Sequence, residues 1–75
     1  MSQYGPKWQH TTPTGLLIST SFVMFAGWET MVFLVLENGD VDYRDLDSQR
    51  YSNENEAYLG HLEMYMKWEH QSAVK

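Results

Sequence analysis

LLISTSFVMFAGWETMVFLVL, residues 16–36, decides the fold, because 21 residues with the single charge Glu29 can be read as a membrane-crossing helix or as two strands and a turn. A helix across a bilayer would hold Glu29 in hydrocarbon at a cost of about 2–3 kcal/mol or more and carry Ser19-Thr20-Ser21 with it, and Gly27-Trp28 interrupts the run. Nor does the run read as a signal peptide: it starts late, behind one Lys, and no small-residue cleavage site follows promptly. Two strands around a turn near Ala26-Gly27 fit the pattern better. In the first, Leu16, Ile18, Thr20, Phe22 and Met24 share one face, while Leu17, Ser19, Ser21 and Val23 share the other. The second, residues 29–36, is a continuous apolar run of strand formers suited to the centre of a sheet.

Working outward, Glu37-Asn38-Gly39-Asp40 places Asn-Gly between two apolar-patterned segments, the signature of a two-residue type I′ hairpin. That loop sets Leu36 opposite Val41 and Leu34 opposite Tyr43, with Val32 on the same core face. The other face then pairs Val35 with Asp42 and Phe33 with Arg44, with Met31 further along. Residues 1–14, with Tyr4, Pro6 and Trp8, read as an arm that covers this second face; a second copy docking on Met31, Phe33 and Val35, or a target protein, is the alternative cover.

A helix is expected from residue 53 or 54 to 70 or 71. Ser52 or Asn53 can cap it, and Glu54 and Glu56 lie where the helix dipole favours negative charge. Ala57, His61, Met64 and Trp68 make one stripe, with Tyr58, Leu62, Tyr65 and Met66 beside it, an apolar face wide enough to cover a sheet. Gly60 inside the helix points to close approach of its backbone to a strand. The expected fold is therefore α+β: a small three-stranded antiparallel sheet with a hairpin at Asn38-Gly39, covered by one C-terminal helix. Its organisation is an arm at 1–14, one ββ-β-α domain at 15–71 and a tail at 72–75.

The chain has 75 residues, no cysteine and a formal charge of −5. Residues 37–56 hold seven acids and two bases, so they carry the whole net charge, and the remainder is electrically balanced. Direct nucleic-acid binding is not expected of such a chain, since phosphate affinity comes from clustered Lys and Arg.

Gly27-Trp28-Glu29-Thr30-Met31-Val32-Phe33, then Glu37-Asn38-Gly39, Arg50-Tyr51-Ser52, Glu56-Ala57 and Gly60-His61 together resemble a family of small uncharacterised proteins encoded by tailed bacteriophages. The similarity covers about residues 15–68 and departs from the family pattern at Leu34, Val35 and Asn55. It implies a phage accessory protein at work in the bacterial host cytoplasm, and it carries over no family-wide activity.

The residues themselves offer little chemistry. The three histidines, His10, His61 and His70, lack i, i+4 pairing and a Cys partner, so no metal or other cofactor is expected, and His61 reads as a packed residue bonded to a strand backbone. Asp40, Asp42, Asp45 and Asp47 lack the Gly and closing Glu of a calcium loop. Ser19 and Ser21 lack a nucleophile elbow and an oriented base, so no enzyme is expected. What is left is binding. Glu37, Asp40, Asp42, Asp45, Asp47, Glu54 and Glu56 could present a nucleic-acid-like surface to a basic groove on a host or phage protein, as an inhibitor does. Arg44 and Arg50 would orient those acids, and Trp28 and Tyr51 would anchor the contact if solvent-facing. A structural or self-assembling homodimer through Met31, Phe33 and Val35 is the alternative.

Overall fold

The alternating stretch and the apolar run pair as antiparallel strands, Leu16 opposite Leu34, Ile18 opposite Val32 and Thr20 opposite Thr30. The computed structural model describes residues 6–71, as β1 (Pro6–Thr11), β2 (Leu16–Val23), β3 (Gly27–Val35), β4 (Val41–Tyr51) and α1 (Glu54–Trp68). The strands form one antiparallel sheet in chain order, and α1 packs across one face of it. No helix among the described residues is long and apolar enough to cross a membrane; residues 16–36 contain β2, its turn and β3.

The sheet has four strands where three are expected. Residues 6–11, read from the sequence as part of an arm over the second face, extend the sheet at its edge. Trp8 pairs with Thr20 and His10 with Ile18, which puts both rings on the helix side. Tyr4 lies outside the described residues.

The Asn-Gly turn is present but one residue longer than expected. Leu36 N–H donates to Asp40 at 2.7 Å, and Gly39 N–H donates to Leu36 at 2.9 Å, so residues 37–39 form the loop. Such a three-residue loop needs one left-handed position, which Gly39 supplies at φ +91°, and Asn38 is spared a positive φ. Register shifts accordingly: Val35 faces Val41 and Leu34 faces Asp42, in place of Leu36 with Val41 and Leu34 with Tyr43.

Beyond Asp42 the ladder breaks. Leu34 pairs with Asp42 and Val32 with Asp47, so Tyr43, Arg44, Asp45 and Leu46 stand opposite Phe33 alone. The bulge sets Tyr43, where Arg44 was expected, edge-on to Phe33 at 5.2 Å between ring centroids. Phe33 is thereby covered from within the chain and retains only 9% exposure.

The helix begins as its sequence dictates. Asn53 Oδ1 accepts from Glu56 N–H at 2.9 Å, and Glu56 Oε1 accepts from the Ser52 hydroxyl at 2.8 Å. Ala57, Gly60, His61 and Met64 face the sheet and close over Leu16, Ile18 and Val32, with Tyr65 and Trp68 packed alongside. At Gly60 the close neighbour is a side chain: the Tyr51 ring of β4 fills the space a Cβ would take. The apolar face expected of α1 is only half used, since Tyr58, Leu62 and Met66 remain exposed. Phe22 and Met24 also depart from expectation. Phe22 is 44% exposed and packs edge-on to Trp28, and Met24 has entered the 24–26 turn.

Candidate binding surface

Among the described residues the sheet has two outer edges of opposite character. β1 carries Lys7 and His10 and no acid, whereas β4 carries Asp42, Asp45 and Asp47 with Arg44 and Arg50. The 37–39 hairpin loop continues the β4 edge, with Glu37 in the loop and Asp40 at its base both exposed. Acidic side chains on an edge strand discourage pairing with another strand, so this edge is suited to side-chain contact.

The acids divide into two groups by the bonds they make. Asp42 forms two side-chain hydrogen bonds with Arg44, at 2.9 and 3.2 Å, and accepts the Arg44 N–H; these bonds hold its carboxyl below the usual range. Asp47 Oδ2 accepts from Lys67 Nζ at 2.7 Å and from the Trp68 indole at 3.0 Å; the Lys67 bond leads in lowering its pKa. Asp47 therefore ties β4 to the last turn of α1. Glu54 pairs with Lys7 at 3.4 Å, Glu29 pairs with Arg50 at 3.4 Å, and Glu56 is engaged at the helix cap. Among the described residues, Glu37, Asp40 and Asp45 have no ion-pair partner. The surface available to a partner is thus the hairpin loop and the bulge, with Asp40, Asp42 and Asp45 around Tyr43, Arg44 and Leu46.

The bulge controls what this surface displays. Four residues opposite one cannot all turn inward, so Tyr43 stands 73% exposed and Leu46 47% exposed, with the Arg44 side chain almost wholly in solvent. Trp28 and Tyr51 are placed elsewhere. Trp28 is half-buried, stacked on Trp8 at 5.9 Å, and Tyr51 is half-buried over Gly60, its hydroxyl pKa raised chiefly by burial. Met31, Phe33 and Val35 share the sheet face away from α1. Tyr43 was missed from sequence because Val41-Asp42-Tyr43-Arg44 preserves plain alternation, and alternation hides a bulge.

The histidines meet where the sequence offered no motif. His10 Nδ1 lies 2.7 Å from His61 Nε2, and His61 Nδ1 lies 2.7 Å from Thr20 Oγ1. His61 thus bonds to side chains and not to a strand backbone as expected. It is fully buried, and burial, followed by the field of His10, pushes its pKa down. Among the described residues no three His, Cys, Asp or Glu side chains gather as a metal site would require.

No family model, curated protein or solved structure matches the chain.

Proposed function

We propose that the protein is a stoichiometric binding module, a phage-type accessory protein that docks the 37–46 hairpin and bulge against a basic surface of a host or phage protein. The observation that carries this reading is the bulge. It sets Tyr43 on Phe33 and presents Tyr43, Arg44 and Leu46 beside the unpaired Asp40 and Asp45 and the Arg44-bonded Asp42. Tyr and Arg are side-chain types that dominate binding energy at interfaces, and carboxylates beside them steer approach to a basic partner. In the finer form of the proposal, Asp40, Asp42 and Asp45 occupy phosphate positions in a nucleic-acid groove, and the protein acts as an inhibitor by occupying that groove. The resemblance to phage proteins supports this host-directed role.

The test is affinity capture from a bacterial lysate with the tagged chain and with a variant neutralised at Asp40, Asp42 and Asp45 (each →Asn). Asp47 is left intact because it holds α1. Loss of the captured protein from the neutralised variant, with circular dichroism unchanged and wild-type capture weakened by salt, is the expected result. Undiminished capture by that variant would refute the proposal.

A further inference from the structure

The turn between β2 and β3 carries a side chain that the fold does not use. Ala26 N–H donates to Val23 at 3.0 Å and closes a turn whose third position is Phe25. Phe25 has φ +70°, in the left-handed region, where glycine or asparagine is the usual occupant of this turn position. It is also 100% exposed, so its ring gains no burial to offset the strained backbone. A bulky residue that the fold holds in a strained conformation and leaves in water points to a contact outside the fold.

The neighbours of Phe25 share its character. Residues 22–28 contain no charge, and Phe22, Val23 and Met24 are exposed. This apolar surface surrounds the end of the hairpin. Phe22 lies against Trp28 on the helix side of the sheet, Val23 lies with Met31 and Phe33 on the other side, and Met24 and Phe25 form the apex. Behind the apex comes Trp28, half-buried, and then a polar collar in which Glu29 stands opposite Ser21 and pairs with Arg50 at 3.4 Å. An apolar end exposed on all sides suits a fluid medium better than a protein groove, which covers one side. The order apolar apex, tryptophan, charged collar is also the order of groups across the boundary of a bilayer.

The acidic balance of the chain does not oppose such a contact. Glu37 and Asp40 lie at the other end of β3, whose nine residues span about 30 Å, or about three Debye lengths in physiological salt. Closer to the tip, Glu29 and Glu54 are paired with Arg50 and Lys7, and Glu56 is bonded at the helix cap. A second copy is a poor occupant: the tip exposes a few hundred Å² of apolar surface, and a stable pair buries about 1,200 Å² or more.

We propose that the 22–28 hairpin tip inserts into the headgroup–acyl boundary of a lipid bilayer, with Phe25 as its anchor. Insertion stops at that boundary, because the backbone of a turn keeps polar groups that hydrocarbon cannot satisfy.

The experiment is flotation of the purified chain with vesicles of phosphatidylcholine, and of phosphatidylcholine mixed with phosphatidylglycerol. Backbone-amide NMR in phosphatidylcholine bicelles carrying a spin-labelled lipid locates the contact. The chain is expected to float with the neutral vesicles at least as well as with the anionic ones, at low and high salt alike, and amide broadening is expected to centre on residues 22–28. Phe25→Asn keeps a residue that accepts the left-handed conformation and removes the ring. It is expected to weaken vesicle binding by about tenfold or more and to unfold at the same or a higher temperature. A wild-type chain that floats with neither vesicle overturns the proposal and leaves the tip to an apolar pocket on a protein. Tighter binding to anionic vesicles, binding that Phe25→Asn retains in full, or a lower unfolding temperature in that variant overturns it as well.

Discussion

Substituting Gly60 by alanine should destabilise this protein, although the same change helps most helices. In a helix interior Gly→Ala gains about 1 kcal/mol. Here the new Cβ would overlap the Tyr51 ring, so the ring must leave its seat over the helix. Overpacking of this kind costs about 1–3 kcal/mol, and the apolar burial that the displaced half-buried ring gives up adds about 1 kcal/mol. The balance is a net loss of about 1–3 kcal/mol, roughly 5–20 °C in Tm for a domain of this size. The partner variant decides the cause. In a Tyr51→Ala background the obstruction is gone, and Gly60→Ala should become stabilising by about 1 kcal/mol. Thermal and urea unfolding followed by circular dichroism at 222 nm measures all four corners of the cycle. If Gly60→Ala has the same effect with and without the Tyr51 ring, Gly60 is not there to admit it and the packing account fails.

The remaining predictions concern the buried histidine, the β4–α1 tie and the unused side of the helix. Because the folded pKa of His61 is lowered, the unfolded chain binds protons first. Stability from this group is therefore complete above about pH 6.5 and falls on acidification below it, by up to about 1.4 kcal/mol per pH unit; His61→Gln should flatten the dependence measured by urea titration at several pH values. Asp47→Asn should cost about 1 kcal/mol at pH 7, since the Lys67 partner is more than half exposed and screened, and Trp68 fluorescence should report the altered indole contact. Met64→Ala, in the core, should cost about 2–4 kcal/mol, whereas Leu62→Gln, on the exposed side of the same helix, should stay within about 0.5 kcal/mol. A larger cost for Leu62→Gln than for Met64→Ala would mean that the helix buries the other side.

Much of the fold was legible because its signals are local. The alternation of residues 16–23, the Asn-Gly turn, the Asn53 cap and the Ala57–His61–Met64 stripe each specify their element without reference to distant residues. Strand β1 was not legible: Pro-Lys-Trp-Gln-His-Thr needs only Trp8 and His10 to face inward, too weak a period to register in six residues. The turn length escaped because Gly39 alone meets the left-handed requirement of a longer loop. The acidic stretch was visible as charge, but which acids are free could not be read, since Lys67 and Lys7 reach Asp47 and Glu54 from other elements. The meeting of His10 with His61 is a contact across 51 positions, set by the added strand and by nothing within either segment.

The most direct test of the binding surface is the backbone-amide NMR footprint of the captured partner on the labelled protein. Shifts confined to residues 37–47, and weakened by added salt, are what the acidic bulge requires. A footprint on β1, on the exposed side of α1, or on the Met31–Phe33–Val35 face would contradict it.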